Sequence, residues 1–352
     1  MQYTTFGRAN GLRVSEYALG AGNFGTRWGT GAEPAEARKI FDRFADAGGT
    51  FVDTAESYQF GESEEILADL IAAERDRFTL ATKFTNGVTP QAGVQATGNS
   101  RKNMVRAVEA SLRRLRTDHI DLFWVHFPDP VTPMEEILRG LDDLVSAGKI
   151  HYAGLSNFPA WRVSRAVALA ELRGWAPVSA VQFEYSLVER SADRELLPMA
   201  DALGLGAALW SPLGGGLLTG KYRDGDEGRQ QTVLKRLLHT EDGGRKTAAV
   251  DAVLAVAEEI GAPPAQVAMA WLRERAARAS TAYVPIIGPR TVKQLDDYLA
   301  ALDVPLSAEQ YQRLTEAGAI TLGQPHEQIE AQRAVVLGGD ADRFRTRAVP
   351  VA

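Results

Sequence analysis

The 352-residue chain contains no cysteine. That absence removes disulfides, thiolate nucleophiles and cysteine-ligated metals in one step. It fits a reducing, cytoplasmic setting. Histidine is scarce too: five residues, at positions 119, 126, 151, 239 and 326, with no ligand pair on one expected helix or strand. A metal-dependent hydrolase is therefore disfavoured, and no metal is expected. Positive charge is in deficit. A formal net charge of −6 argues against a nucleic-acid partner, which calls for a basic surface. The small basic cluster of Arg113, Arg114 and Arg116 falls at the end of an expected helix, where it suits the dipole. No apolar run approaches the ~20 residues that span a bilayer, and Met1 to Arg8 has no apolar signal core, so neither membrane association nor export is expected. Linkers and low-complexity tracts are absent as well. Length alone would allow two or three domains, but β/α barrels routinely exceed ~250 residues as one unit. A single domain over residues 1–352 is expected.

What is present is ordinary globular composition, 45% hydrophobic and 24% charged. Its arrangement is informative. Short apolar runs at Tyr17–Leu19, Thr50–Asp53, Thr79–Lys83, Asp121–His126, Tyr152–Leu155, Ala180–Phe183, Gly206–Trp210 and Tyr283–Ile287 read as strands. Amphipathic segments separate them. Glu36–Ala47 puts Ile40, Phe41 and Phe44 on one face, and Met104–Leu115 does so with Val105, Val108, Leu112 and Leu115. Ser100 and Pro133 are start signals; Gly48, Gly49 and Gly148 are stops. Strands alternating with helices imply a parallel sheet, and about eight units imply closure. The expected fold is α/β, a (β/α)8 TIM barrel with extra helices and loops. An N-terminal β-hairpin over about residues 3–15 precedes it, Thr4–Phe6 against Leu12–Val14, positioned to plug the floor. A C-terminal tail runs over about residues 320–352.

Two loops exceed the usual length. They are Thr85–Asn99 after the third strand and Ser211–Thr247 after the seventh. Both are expected at the mouth, as substrate wall or cofactor lid. Gly20-Ala21-Gly22-Asn23-Phe24-Gly25 matches G-x-G-x-x-G. The dinucleotide fingerprint would need a helix to open there and an acid about twenty residues on. Instead the loop continues to Glu33-Pro34, and Asp53 stands too far along. A Rossmann domain is the weaker reading.

Four polar residues stand at or just beyond strand ends: Asp53, Tyr58, Lys83 and His126. In a β/α barrel those C-terminal ends converge on one mouth. Taken singly, each has a plain structural reading, as a helix cap, a surface ring or a solvated amine. Taken together, an acid, a phenol, an amine and an imidazole in one pocket suit proton transfer coupled to redox chemistry at a carbonyl. A free phenol, with a pKa of ~10, is a poor acid near neutrality. A neighbouring ammonium lowers it by stabilising the phenolate. Lys83 is placed to do this, Asp53 to hold Lys83, and His126 to orient a substrate oxygen.

Val52-Asp53-Thr54-Ala55-Glu56-Ser57-Tyr58, followed by Gly61-Glu62-Ser63-Glu64, resembles a signature of the aldo-keto reductase superfamily, in its bacterial-type, NADPH-dependent form. Ala81-Thr82-Lys83, Trp124-Val125-His126, Gly154-Leu155-Ser156-Asn157-Phe158, Val181-Gln182-Phe183-Glu184-Tyr185-Ser186, the run from Trp210 to Lys221 and the run from Pro285 to Leu295 resemble its further segments in order. The likeness covers about Leu19 to Leu302. It implies an NAD(P)(H)-dependent oxidoreductase of carbonyls and alcohols with Asp53, Tyr58, Lys83 and His126 as catalytic tetrad. It further implies cofactor contacts from Gly22, Asn23, Phe24 and Asp53 at the mouth. Ser156, Asn157 and Gln182 would meet the carboxamide, and Trp210 the stacked ring. Ser211, Pro212, Leu213, Gly215 and Lys221 would line the pyrophosphate, and Gly288, Arg290, Gln294 and Asp297 the adenosine end. The family often has an acid followed by Asn where this chain has Asp297-Tyr298, so one adenine contact is lost. Arg290 and Gln294 favour NADP(H) over NAD(H), since a guanidinium suits a phosphate.

The leading reading is thus NADPH-dependent reduction of an aldehyde or ketone. A second class is a non-catalytic, regulatory barrel that binds NADP(H), like the channel-associated β subunits of the same superfamily; an intact tetrad is compatible with both. Trp28, the Thr85–Asn99 loop, Phe127 and Trp161 are candidates for the substrate wall, with the Gly323–His326 segment and the tail as possible additions. Their mixed character suits a sugar, an aldehyde or a polycyclic ketone.

Overall fold

The computed structural model describes residues 1–224, 239–345 and 348–352. The middle of the expected Ser211–Thr247 loop therefore lies outside the described residues. Two strands, β1 (Tyr3–Thr5) and β2 (Arg13–Ser15), form the N-terminal hairpin, antiparallel with Thr4 opposite Val14. Eight more follow: β3 (Ala18–Gly20), β4 (Phe51–Asp53), β5 (Thr79–Phe84), β6 (Ile120–Val125), β7 (Ile150–Ser156), β8 (Val178–Glu184), β9 (Gly206–Trp210) and β10 (Tyr283–Ile287). All are parallel and close into a barrel in sequence order, β10 returning to β3. The expected barrel and hairpin are both present, with strand ends shifted by a residue or two. Parallel neighbours need a crossover, and helices supply it. They are α1 (Pro34–Asp46), α2 (Glu62–Ile71), α3 (Arg101–Leu115), α4 (Met134–Ser146), α5 (Ala160–Arg173) and α6 (Leu196–Leu203). Among the described residues, the α-helices between β9 and β10 are α7 (Arg245–Ile260) and α8 (Pro264–Ala277). After β10 come α9 (Val292–Ala300), α10 (Ala308–Ala317) and α11 (His326–Val336). Residues 21–23 form only a short 3-10 turn and no helix opens before Pro34, which removes the Rossmann reading of the glycine run.

Side chains alternate across each strand. One parity faces the helices: Val52, Leu80, Phe123 and Val181 belong to the shell between barrel and helices. The other faces the barrel axis, where Phe51, Ala81, Leu122, Trp124, Ala180, Ala208, Val284 and Ile286 pack together. Asp53, Lys83 and Gln182 share the inward parity, one step nearer the C-terminal rim. The inner layers pair one large ring with small neighbours. Trp124 is fully buried beside Ala81, Ala180 and Gly154. Phe6, Leu12 and Val14 of the hairpin belong to the same inner cluster, and the Phe6 ring meets Phe51 edge-on at 5.3 Å. The hairpin thus closes the floor. Among the described residues, no helix is long and apolar enough to cross a membrane.

A Cβ on Gly154 would collide with the Trp124 ring and stand 3.1 Å from the Ala180 carbonyl. Overpacking of this kind costs about 1–3 kcal/mol. Gly154→Ala is expected to lower the denaturant midpoint accordingly, with an unchanged slope; a wild-type midpoint would show that the ring has room to move aside.

Candidate active site

The inward polar residues form a compact cluster at the C-terminal rim. Lys83 is fully buried, an expensive position for an ammonium unless it is paired. It is paired on three sides. Its Nζ forms a short ion pair with Asp53 Oδ2, donates to the Thr54 carbonyl at 2.7 Å, and lies 3.3 Å from Tyr58 Oη. Gln182 Nε2 donates to the other Asp53 oxygen at 3.1 Å. Tyr58 presents its ring between Trp28 and His126, edge-on to each with centroids 6.0 Å apart. The His126 ring stacks on Phe127 at 4.7 Å.

The electrostatics differ from the sequence expectation in one respect. Lys83 was expected to bring the Tyr58 phenol down. Burial pushes it up, Lys83 pulls against that without cancelling it, and Asp53 adds to the rise. The net direction is upward, so the phenol keeps its proton across the neutral range. Burial alone would depress the Lys83 ammonium, but Asp53 and Tyr58 outweigh it and the net is a rise. Burial, with Lys83 nearby, holds His126 well below the ordinary imidazole value. A protonated phenol beside a fixed cation, facing a neutral imidazole, can give a proton to an oxygen held between the two rings.

The rest of the Asp53-to-Glu64 segment fastens this arrangement. Thr54 Oγ1 and Ser63 Oγ share a hydrogen bond of 2.8 Å, and Ser63 donates to the Ala21 carbonyl at 2.7 Å. The buried Glu64 accepts from Thr82 and from Arg114, each at 2.6 Å, so one of the basic residues expected only to cap α3 has a specific carboxylate partner. Gln59 Oε1 accepts from the Trp28 amide at 2.8 Å, and Glu62 Oε2 accepts from the Thr26 and Arg27 amides. These bonds set Trp28 beside Tyr58. Gln59 and Phe60 adopt left-handed backbone, φ 50° and 54°. Thr85, Asn157 and Ser211 do so as well, each just after a barrel strand. Such conformations cost energy and gather where geometry is over-determined.

A cleft of ≈ 900 Å³ runs from this cluster across the mouth. Its lining includes Gly22, Asn23, Asp53, Tyr58, His126, Asn157, Gln182, Trp210, Ser211, Pro212, Leu213, Gly215, Lys221, Gly288, Arg290, Gln294 and Asp297. Two expected cofactor residues do not line it. Phe24 is fully buried in the shell between barrel and helices. Ser156 is buried behind Asn157, whose amide donates to its Oγ at 3.0 Å. Both stand behind the surface of the cleft. Lys83 likewise stands behind Tyr58. Trp161, expected at the substrate wall, is 68% exposed on α5 and outside the cleft. The Gly323–His326 segment is outside it too, with His326 paired to Glu195 at 3.1 Å. Trp28, Phe127 and residues Asn86 to Pro90 do line it, and so does Phe60, which the sequence reading passed over; Tyr298, expected only as a lost adenine contact, lines it as well. Phe60 had a signal: it follows Tyr58 by two residues on the same turn.

The lining fits a dinucleotide. Gly214, Gly215 and Gly216 all have left-handed φ, 58°, 68° and 98°, and the last two border the cleft. There the backbone, not a side chain, meets whatever lies in the groove, as a phosphate requires. The cations Lys221 and Arg290 border the same end. At the inner end Asn157 donates to the His126 carbonyl at 3.0 Å and accepts from the Trp210 indole at 3.3 Å. Asn23 Nδ2 donates to the Gly288 carbonyl at 2.8 Å and ties the two rim loops together.

A barrel with this cluster and groove has the parts that a nicotinamide-dependent oxidoreductase needs. The comparisons narrow the class. A sequence model described as Aldo/keto reductase family matches residues 17–319. The chain is 36% identical to the Uncharacterized oxidoreductase YrpG of Bacillus subtilis, over 88% of this chain and 93% of that protein. It is 37% identical to the Aryl-alcohol dehydrogenase [NADP(+)] of Phanerodontia chrysosporium, over 90% and 86%. It is 34% identical to the Norsolorinic acid reductase of Aspergillus flavus, over 90% and 80%. This chain is a member of the aldo/keto reductase family.

The His126 environment makes a direct prediction. In an NMR pH titration its ring should remain neutral through pH ~6.5, the ordinary imidazole value, and protonate only well below it; an ordinary midpoint would mean that neither burial nor Lys83 acts on the ring.

Proposed function

We propose that the protein reduces an aromatic aldehyde or ketone to the alcohol with NADPH, Tyr58 being the proton donor. The observation that carries this is the Lys83 ammonium held between Asp53 and Tyr58 just behind the wall of the cleft. NADPH, when bound, would supply a hydride to the carbonyl carbon. Tyr58 transfers its phenolic proton to the carbonyl oxygen as charge develops there. Lys83 stabilises the phenolate left behind, and Asp53 fixes Lys83. His126, neutral and facing Tyr58, holds the substrate oxygen by a hydrogen bond. The phenolate then regains a proton from solvent, which closes the cycle. Asn157 and Gln182 would hold the carboxamide. Trp210 would flank the ring, with Gly22 and Asn23 beside it. Ser211, Pro212, Leu213, Gly215 and Lys221 would receive the pyrophosphate, and Gly288, Arg290, Gln294 and Asp297 the adenosine end. The same reading takes residues 1–352 as one catalytic barrel.

The aromatic preference rests on the wall. Trp28 meets Tyr58 and Phe60 edge-on, the latter at 6.3 Å, and Phe127 lies across the opening on His126, so the oxygen-binding point is flanked by flat apolar faces. Planar rings pack there with favourable offset or edge geometry. The names of two relatives, an aryl-alcohol dehydrogenase and a norsolorinic acid reductase, agree with it.

Tyr58→Phe removes the donor and keeps the shape. It is expected to lower kcat at least ~10²-fold, the lower end of general-acid contributions, with NADPH affinity unchanged by fluorescence titration. Near wild-type turnover in the folded variant would remove Tyr58 from the mechanism, and a wild type that binds NADPH but turns over no aldehyde would favour the regulatory reading.

Cofactor choice is tested at Arg290. Its backbone amide is held by Gln294 Oε1 at 2.8 Å, at the start of α9, where Thr291 caps the helix. If the guanidinium grips a 2′-phosphate, Arg290→Ala loses charge-assisted bonds worth roughly 1.5–3 kcal/mol, about ten- to a hundredfold in affinity. The loss should appear for NADPH and not for NADH. Equal weakening of both would assign Arg290 to adenine stacking or to the fold.

A further inference from the structure

Three residues that the carbonyl chemistry does not use meet at the opposite end of the barrel. His119 immediately precedes β6, Asp121 is its second residue and His151 is the second residue of β7. One potential ligand atom from each lies within 4.8 Å of the others. The two imidazoles stack with centroids 4.6 Å apart, and His151 Nδ1 stands 3.6 Å from Asp121 Oδ1. β6 pairs with β7 in register, Ile120 opposite Ile150, and that pairing brings together residues about thirty positions apart.

We infer that His119, Asp121 and His151 form a zinc-binding site on the floor side of the barrel. The support lies in what holds each ligand. Asp121 has one oxygen committed: Oδ2 accepts from Arg75 at 2.8 Å and from the Leu80 amide at 2.9 Å. Its other oxygen faces His151. His119 has one nitrogen committed: Nδ1 is bound to Asp118 Oδ1 at 2.7 Å, which leaves Nε2 for a ligand. Arg75 also donates to the His119 carbonyl at 3.0 Å and to Thr117 Oγ1 at 3.1 Å, fixing the backbone that carries the set. A carboxylate on the far nitrogen of a ligating imidazole, and a ligating carboxylate with its second oxygen bonded, are the outer contacts that metal sites use. Two nitrogens and one oxygen suit zinc, with water completing a tetrahedron. Tetrahedral bonds of about 2.0–2.1 Å put ligand atoms about 3.3 Å apart; His151, exposed and on the outer edge, can close that gap by a side-chain rotation. The Arg75 cation opposes a dication, while Asp118 and Asp121 offset it. The site clamps β6 to β7 about 20 Å from His126, along a strand rising ~3.3 Å per residue, and takes no part in catalysis.

The probe is zinc ion alone, titrated calorimetrically into the chelator-stripped full chain. One zinc per chain is expected, with a thermal midpoint that rises with zinc concentration. His151→Ala, a surface change that leaves the fold intact, should abolish both the heat and the thermal shift. Asp118→Asn, which touches only the outer contact, should weaken binding roughly 10- to 100-fold. Carbonyl turnover should be the same with and without zinc. Absence of saturable zinc binding by the wild type overturns the assignment. So does His151→Ala binding as tightly as wild type, which would place the ion elsewhere.

Discussion

Everything at the mouth depends on one short join. β10 pairs with β3 through two residue pairs, Ile286 with Ala18 and Ile287 with Leu19. This is where an open parallel sheet becomes a ring. Without it, the loop after β3 and the loop after β10 would lie at opposite edges of a sheet. With it, Asn23 reaches the Gly288 carbonyl, and the groove runs unbroken from Gly22 to Arg290. Parallel closure also forces every strand to end at the same rim. A polar residue at the inward parity of a last turn then has nowhere to point except into the shared space.

The buried Lys83–Asp53 pair shows how that space is stabilised and constrained at once. Taking both charges out of water is costly, and their attraction repays it only with close geometry and further hydrogen bonds. Those bonds come from the Thr54 carbonyl, Tyr58 and Gln182. Removing any one leaves charge or a polar group exposed to an apolar barrel. The arrangement therefore tolerates little drift, and Tyr58 inherits its position from a balance that the whole inner layer maintains. The upward push on the phenol is part of the same balance: the burial that fixes the ring also favours its neutral form.

Much of this was legible in the sequence because period and parity are linear properties. The eight strands were marked by apolar runs, and Asp53, Lys83 and His126 by polarity at the wrong end of such runs. The loop after β5 could be placed at the mouth, and the residues from Trp210 to Lys221 and around Arg290 could be placed along the groove. Other features needed the third dimension. Phe24 and Ser156 sit in motifs whose neighbours face the groove, yet each turns inward; direction at a single loop residue follows from backbone angles that a sequence does not display. Trp161 begins α5, and which face of that first turn meets solvent depends on how the helix docks. The left-handed turn at Gln59 and Phe60, which places Phe60 opposite Trp28, falls on two residues that are not glycine. The adjacency of His119 and His151 arises from strand pairing alone, so a search for spacing within one element passes over it.

The hairpin under the barrel has a consequence for traffic. Phe6, Leu12 and Val14 fill the base with the same apolar cluster that holds Trp124 and Phe51, so side chains close the barrel axis from below. Traffic to the Tyr58 cluster is therefore turned toward the rim, where the cleft opens among the loops, and it is turned there by three residues on the far side of the barrel.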